Sequence, residues 1–230
     1  RGSAQCKTSV MLGALNTPGV TTIKAEKSRN HSEILFKNLK IPIKIKKRLR
    51  HDLIKIKGLT EFKSFNYKIP GDISSSSFFI VLTLLAKNSE LLIKDVNTNP
   101  TRIGIIKILN LMNCNIIFKN KRLYKGELVS DIFVRSSNNL KAINCPSYLN
   151  SFAIDEFLVI FLVAAKAQGI STFKHLSELN KKESPRLDLA VKFLRMIGIK
   201  VERIKDNIKI YGNPTLNLKG NFKVKNYLKD

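Results

Sequence analysis

Four short segments place hydroxyl, amide or charged side chains directly ahead of predicted helices, where they could bind anions or move protons. They cover residues 3–7, 72–77, 154–157 and 181–187. The start of a helix offers N–H groups that have no intrahelical partner and the positive end of the helix dipole, so it attracts phosphates and carboxylates. The first two segments also have a plainer interpretation, because Ser and Asp are common N-cap residues.

The third segment pairs two acids, Asp155 and Glu156, at the start of an otherwise apolar helix predicted over residues 154–168. Acids are favoured in a first helical turn by the dipole, and this is the simpler interpretation. Alternatively, one of the two carboxyls points into a cleft, where it would accept a proton or bind a substrate hydroxyl.

The fourth segment is a charged loop that enters a helix, with Pro185 predicted at the first helical position, where no N–H is required. Lys182, Glu183 and Arg186 lie close together in this loop. They could bind a phosphate or carboxylate and hold a proton donor, although a charge run of this kind is usually a solvated turn.

An internal repeat organises these segments. Three stretches share the order apolar helix, short strand, polar loop ending in arginine, amphipathic helix and strand, and the loop arginines are Arg29, Arg102 and Arg186. Hydrophobic periodicity predicts the helices over residues 5–15, 32–39, 75–87, 103–112, 154–168 and 187–196. With the polar strands between them, each stretch is roughly a βαβαββ unit, which predicts an α/β fold made of copies.

Turn residues separate these elements. Pro70 and Gly71 stop a strand and Asp72 can cap the helix that follows, which places a domain boundary near residue 70. Gly198 follows a helical run where a left-handed C-cap is wanted. Asp206 and Asn207 form a predicted hairpin turn.

The charge of the chain is unusual. The 230 residues carry 41 basic and 17 acidic side chains, a formal net charge of +24. Such a charge favours anionic partners, whether phosphorylated metabolites, anionic lipid or nucleic acid. The simpler explanation is lysine spread over every solvated face, because aromatic residues do not alternate with the basic ones as they do on base-stacking surfaces.

The remaining composition indicates a globular protein in a reducing compartment. The three cysteines are too few and too irregularly spaced for a disulfide framework, and the three histidines have no metal-ligand spacing, so we expect a cytosolic protein without a metal site. The longest apolar run, residues 157–165, is far shorter than the ~20 residues of a membrane span. The first residues show no signal-peptide pattern.

Taken in order, the segments resemble the 5-enolpyruvylshikimate-3-phosphate synthase family. The resemblance rests on GSAQCK at residues 2–7, KSRNHSE at 27–33, PGDISSSSFF at 70–79, NPTRIG at 99–104, SFAIDEFLVIFLVAA at 151–165 and ELNKKESPRL at 178–187. It covers essentially the whole chain, with the motifs in the family's order and at about its spacing.

The resemblance implies transfer of the enolpyruvyl group of phosphoenolpyruvate to the 5-hydroxyl of shikimate 3-phosphate, without metal or organic cofactor. It also implies two similar domains of repeated βαβαββ units, inside-out α/β barrel-like domains with the active site between them. Residues 1–69 would complete the first domain, and residues 70–230 would hold two repeats of the second. The expected partners are small anionic substrates, not nucleic acid or a membrane, for a monomer in the cytoplasm.

The resemblance also assigns residues. For shikimate 3-phosphate it implies Ser3, Ala4, Gln5, Arg29, Asp155 and Lys182, and for phosphoenolpyruvate Gln5, Glu183 and Arg186. Asp155 would bind the shikimate hydroxyls and accept a proton, whereas Glu183 would handle the methylene proton of the enolpyruvyl group. Two anionic substrates call for guanidinium groups and helix N-termini, and the chemistry calls for two carboxyls with separate duties.

The chain also departs from the family. Members usually have Asp where Pro185 stands and often Arg where Asn180 stands. The family's N-terminal Lys and Arg, its glycine-containing phosphoenolpyruvate loop, and its C-terminal His-Arg motif and lysine have no counterparts here. We therefore expect a fragment, roughly the middle half of the enzyme.

The sequence also permits two other functions. The sister enzyme that acts on UDP-N-acetylglucosamine shares the fold, but it is expected to lack the Ser-Ala-Gln and Lys-Glu-Ser-x-Arg-Leu strings in this form. A non-catalytic polyanion- or nucleic-acid-binding module would use the positive charge alone. A fragment that folds but is inactive is a third outcome.

Overall fold

The computed structural model describes residues 2–181 and 184–217. It contains six α-helices: α1 (Ala4–Leu15), α2 (His31–Asn38), α3 (Ile73–Leu85), α4 (Gly104–Leu111), α5 (Phe157–Lys166) and α6 (Arg186–Met196). Its nine strands are β1 (Val20–Glu26), β2 (Ile43–Lys47), β3 (His51–Lys57), β4 (Glu90–Asn97), β5 (Asn115–Tyr124), β6 (Glu127–Arg135), β7 (Ile170–Phe173), β8 (Val201–Ile204) and β9 (Asn207–Tyr211). Short 3₁₀ helices lie at Ser147–Phe152 and Ser177–Lys181.

The repeat predicted from the sequence is present as three similar sheets. Each has three strands, in the orders β1-β3-β2, β4-β6-β5 and β7-β9-β8, so in every sheet the third strand in sequence lies between the other two. The strands of the first and third sheets pair antiparallel. In each repeat a helix precedes the first strand, and a second helix connects the first strand to the other two.

The leading strand of the predicted βαβαββ unit is reduced to isolated parallel bridges. Gly71 bridges Val96 just before α3, and Asn144 bridges Thr172 before α5. In the second repeat the chain turns from the Gly71 bridge directly into α3, whereas in the third repeat the 3₁₀ helix Ser147–Phe152 lies between the bridge and α5.

Most predicted helix boundaries lie one to three residues from the observed ones, and the predicted hairpin turn is displaced by one residue. Helix α5 begins at Phe157, so Asp155 and Glu156 precede the first turn instead of occupying it. Pro185 is the N-cap of α6, whose first residue is Arg186. The β8–β9 hairpin pairs Ile204 with Asn207, which leaves residues 205–206 as its two-residue loop.

The described residues fall into two compact units. One holds the chain up to Pro70 together with Asn97–Thr101 and Lys121–Val129, and the other holds Gly71–Val96, Arg102–Asn120 and the described residues from Ser130 on. The prediction placed everything after residue 69 in a second domain. The assignment of these units to the two domains of the family stays a prediction.

Each unit has its own hydrophobic core. The core of the first unit forms where α1 and α2 cover the first sheet, from Met11, Ala14, Phe36, Ile41, Ile54 and Ile56. In the second unit the nearly all-apolar α5 packs against α3, α4 and α6. Its Phe157 and Phe161 lie within 6.0 Å of the Phe173 ring, centroid to centroid. A helix that is apolar all round is stable only in such an interior.

Candidate functional site

Helix α1 begins with the Ser-Ala-Gln segment in the first unit. Ser3 is the N-cap, and its Oγ accepts a hydrogen bond from the Cys6 N–H at 3.2 Å. Ala4 and Gln5 are the first two helical residues, and Gln5 is exposed. The capping interpretation of Ser3 is confirmed.

The loop that carries Arg29 lies beside this helix start. A Cβ placed on Gly2 would lie only 2.7 Å from the Lys27 carbonyl oxygen, so the two backbones touch. Arg29 is half-buried in the loop between β1 and α2. The structure thus brings together the two shikimate 3-phosphate segments of the first unit that the resemblance implied.

Lys7 joins α1 to this loop; the sequence analysis placed it at the end of the first segment but gave it no role. Its Nζ donates to the Glu33 carboxylate at 2.6 Å and to the Arg29 carbonyl at 2.7 Å. Both side chains of the ion pair are only 6% exposed. The signal was present in the sequence, since Lys7 closes the first matching string and Glu33 the second.

A second polar network, also missed, surrounds the next residues of the loop. The buried Glu127 carboxylate accepts hydrogen bonds from the Asn99 side-chain amide at 3.0 Å and lies 2.6 Å from His31 Nδ1. The Asn99 amide also donates to the Asn30 side chain at 2.9 Å. Burial disfavours the charged carboxylate, but the hydrogen bonds from His31 and Asn99 outweigh it and hold the pKa of Glu127 below its ordinary value.

In the second unit, the structure places Asp155 between two guanidinium groups. Arg186 Nη1 lies 3.5 Å from Asp155 Oδ1, and Arg102 Nη1 lies 3.8 Å from Asp155 Oδ2. The Asp155 side chain is 25% exposed and the Arg186 side chain 26%, so both can be reached by a ligand. Two cations beside a carboxylate stabilise its ionised form.

Arg102 extends the cluster to the start of α3. Its Nη2 donates to the Asp72 carboxylate at 2.9 Å and to the Ser74 hydroxyl. Ser74 in turn donates to the buried Glu156 carboxylate. Asp72 also caps α3 by accepting from the Ser75 N–H at 2.9 Å, as predicted.

Asp72 is held in its charged form by these contacts. Partial burial opposes ionisation, but the Ser75 amide and the Arg102 guanidinium outweigh it and lower the pKa of Asp72. In the cluster around Asp155, the positive Arg102 therefore lies between the negative Asp72 and Asp155.

Helix α6 has Pro185 at its N-cap, where the resembling family usually has Asp, so another side chain must accept hydrogen bonds from its first N–H groups. Pro185 has no side-chain acceptor, and Asn180 supplies one instead. Its Oδ1 accepts from the N–H groups of Leu187 at 2.9 Å and Asp188 at 3.4 Å. Leu187 and Asp188 are the second and third residues of α6. Their N–H groups are the ones that normally donate to the side chain of an N-cap residue. Arg186 is thus presented from a capped helix start.

Two of the implied site residues, Lys182 and Glu183, lie outside the described residues. Within residues 2–181 and 184–217, no three His, Cys, Asp or Glu side chains group so that they could hold a metal ion. In the same residues, none of the helices combines the length and apolarity needed to cross a membrane.

Comparison with known sequences points to one family. Residues 2–223 match the family of EPSP synthase (3-phosphoshikimate 1-carboxyvinyltransferase). The 3-phosphoshikimate 1-carboxyvinyltransferase of Ruthia magnifica subsp. Calyptogena magnifica is 40% identical over 211 residues, which are 91% of this chain and 47% of that protein. The protein of that name from Zymomonas mobilis is 37% identical over 212 residues, 92% of this chain and 47% of that protein.

Solved structures agree. EPSP synthase from Acinetobacter baumannii superposes with a TM-score of 0.85 at 32% identity, over 92% of this chain and 47% of that one. The enolpyruvyl transferase NikO from Streptomyces tendae, at 14% identity, shares the fold with a TM-score of 0.61 over 90% of this chain and 45% of that one. The chain spans about half the length of the curated relatives it matches. By sequence and by fold, this chain belongs to the EPSP synthase family.

Proposed function

We propose that the complete protein in which this chain occurs transfers the enolpyruvyl group of phosphoenolpyruvate to the 5-hydroxyl of shikimate 3-phosphate and releases phosphate. The observation that carries the proposal is Asp155, a partly exposed carboxylate within 3.8 Å of two guanidinium groups. It stands in a chain whose residues 2–223 match the family.

Shikimate 3-phosphate would be bound by the residues that the family resemblance implies. Ser3, Ala4 and Gln5 at the start of α1 offer an anion site to its phosphate, and Arg29 offers a guanidinium that binds phosphate with two parallel hydrogen bonds. The Lys7 contact that ties the Arg29 loop to α1 supports this assignment. Asp155 and Lys182 would bind the rest of the molecule.

Phosphoenolpyruvate would be bound by Gln5, Glu183 and Arg186. The contact of Arg186 with Asp155 supports this assignment, because it places an anion-binding group next to the proposed proton acceptor. The two substrates would then meet at the carboxylate that begins the reaction.

Proton transfer would use two carboxyls. Asp155 would accept the proton of the 5-hydroxyl as that oxygen attacks C2 of phosphoenolpyruvate, while Glu183 would deliver a proton to the methylene carbon. Loss of phosphate and of a methyl proton from the tetrahedral intermediate then gives the enolpyruvyl product. Acid and base catalysis need the two carboxyls in opposite protonation states during the reaction.

The proposal also covers the partners, the oligomeric state and the cellular compartment of the enzyme. The partners would be the two anionic metabolites, without nucleic acid or membrane, for a monomeric cytoplasmic protein. The net charge of +24 supports anionic substrates through long-range attraction.

Activity is tested by following phosphate release from phosphoenolpyruvate with and without shikimate 3-phosphate, and by identifying the product by mass spectrometry. We expect release that depends on the second substrate. Asp155→Asn and Glu183→Gln should each lower kcat by about 10²–10⁴-fold. Phosphate release without shikimate 3-phosphate, or more than a tenth of the wild-type rate in either variant, would contradict the proposal.

Binding is tested separately by calorimetric titration with shikimate 3-phosphate at ~150 mM salt, where charges more than ~8 Å apart are screened. Arg29→Lys keeps the charge but loses the planar fork, so affinity should fall. The matched control is Lys46→Gln with Lys47→Gln, two exposed lysines at the end of β2, which should change affinity little. An equal loss in both proteins would indicate nonspecific attraction of polyanions.

A further inference from the structure

We propose that Arg102 is a positioning residue for Asp155, holding the carboxylate ionised and oriented for proton acceptance; the proposal rests on the function proposed above. Arg102 is the middle member of the three loop arginines of the repeat, and the family resemblance assigned it no role. Its place in the structure gives it one.

The guanidinium of Arg102 is buried, with only 10% of the side chain exposed. A buried cation is tolerated only when it is paired and hydrogen-bonded. Asp72 and Ser74 accept hydrogen bonds from Nη2, and Nη1 lies 3.8 Å from Asp155 Oδ2. Arg102 is therefore fixed on one side by α3 and faces Asp155 with the other.

The distance to Asp155 suits a positioning role. At 3.8 Å the contact is a charge–charge interaction longer than a hydrogen bond, so it stabilises the carboxylate without occupying a lone pair in a tight bond. Arg186 faces the other oxygen at 3.5 Å. The carboxylate is thus held from both oxygens and is still 25% exposed to accept a substrate proton.

A close backbone contact joins the segment that carries Arg102 to the segment that carries Asp155. A Cβ on Gly104, two residues after Arg102, would lie 2.4 Å from the carbonyl carbon of Phe152 and 2.7 Å from the Ala153 nitrogen. The start of α4 therefore rests directly on the backbone that leads into Asp155. Only glycine permits this approach without displacing a backbone.

The test compares Arg102→Gln and Arg102→Lys with the wild-type protein. In Arg102→Gln, we expect kcat to fall at least tenfold while the KM for shikimate 3-phosphate changes less than threefold. The acid limb of the kcat–pH profile should move to higher pH, because the carboxylate loses a neighbouring positive charge. Arg102→Lys should keep the limb near the wild-type position, and added guanidinium should partly restore Arg102→Gln. Arg135→Gln removes an exposed arginine paired with Glu90 and is the control.

A second measurement separates this proposal from the proposed function. The charged groups near Asp155 in the described residues include Arg102, Arg186, Asp72 and Glu156. The titration of Asp155, followed by carboxyl ¹³C NMR and assigned with Asp155→Asn, should move to higher pH in Arg102→Gln and stay unchanged in Arg135→Gln.

The outcomes are distinct. A wild-type protein without shikimate 3-phosphate-dependent turnover would refute the proposed function, and the NMR titration would still decide whether Arg102 controls Asp155. An Arg102→Gln protein with a wild-type circular dichroism spectrum and unchanged Asp155 titration would overturn the positioning role. A loss of kcat without any pH shift would also overturn it, since a purely structural role predicts that result.

Discussion

Lys7 lies within 2.6 Å of the Glu33 carboxylate and 2.7 Å of the Arg29 carbonyl, so one buried ammonium group joins α1, α2 and the loop between β1 and α2. The second carboxylate oxygen of Glu33 is buried and has no hydrogen-bond partner among the described residues. This ion pair is therefore only partly compensated, and its two members depend strongly on each other.

The first prediction concerns this pair. Glu33→Leu or Lys7→Met alone should lower the free energy of unfolding by about 3–5 kcal/mol, because each leaves a buried charge unpaired. The double variant should recover most of the loss. Urea titration measures both effects. Glu90→Gln, which breaks an exposed pair with Arg135, should cost less than about 1 kcal/mol. If breaking the two ion pairs lowered the free energy of unfolding equally, the buried Lys7–Glu33 pair would not have the structural role inferred for it.

The second prediction concerns the cap of α6. Asn180→Ala should destabilise the chain by about 1 kcal/mol, because two N–H groups of α6 lose their acceptor. Adding Pro185→Asp should restore much of that loss by supplying an acceptor at the N-cap itself. Asn110→Ala, on the exposed face of α4, is the control and should be neutral or slightly stabilising. If Asn180→Ala unfolds at the wild-type urea concentration, Asn180 is not the cap.

The third prediction contrasts two helical glycines. Gly104→Ala should destabilise by about 1–3 kcal/mol or more, because its Cβ would meet backbone atoms of Phe152 at 2.4 and 2.5 Å. Gly13→Ala in α1 has no atom within 4 Å of the new Cβ and should stabilise by about 0.5–1 kcal/mol. Thermal unfolding of the two variants decides the signs, and the same sign for both would refute the proposed close approach.

The fourth prediction is thiol reactivity. Burial raises the pKa of Cys114 to about 12 and that of Cys145 to about 11, whereas Cys6 is exposed on α1. Because the thiolate is the reactive form, an aromatic disulfide reagent at pH 8 should label one thiol in the folded chain and all three after unfolding. Rapid labelling of two or three thiols in the folded chain would contradict these burial effects.

The fifth prediction is the pH dependence of stability from Glu127. A carboxyl whose folded pKa is lowered stabilises the protein above its unfolded pKa, and this contribution is lost as the pH falls through the folded value. The pKa of Glu127 is lowered from 4.5 by His31 and Asn99 against the effect of burial. Glu127→Gln should therefore lose less stability than the wild type as the pH falls below 4.5. Glu61→Gln, an exposed linker residue, should follow the wild-type curve.

Much of this protein follows from local pattern. The three copies of helix, strand, helix and strand can be predicted because each helix buries one face, so its apolar residues recur with the helical period of 3.6 residues. The turns between the elements use glycine, proline and asparagine. Asp72 was predicted as a cap because its side chain reaches an N–H only three residues away. The family followed from strings of residues, and the comparisons confirm it.

Only the tertiary structure decided which charges meet. Arg102 and Asp155 are 53 residues apart in the sequence, and His31 and Glu127 are 96 apart. No periodicity connects such positions, because a side chain finds its partner through the packing of helices and sheets that lie between them. Burial then determines what each contact does, since removing one member of a Lys–Glu pair costs little stability in water but several kcal/mol, about 3–5, once both groups are buried. The sequence by itself therefore determined the repeat, the caps of α1 and α3 and the family, whereas packing decided the contacts that Lys7, Arg102 and Asn180 make.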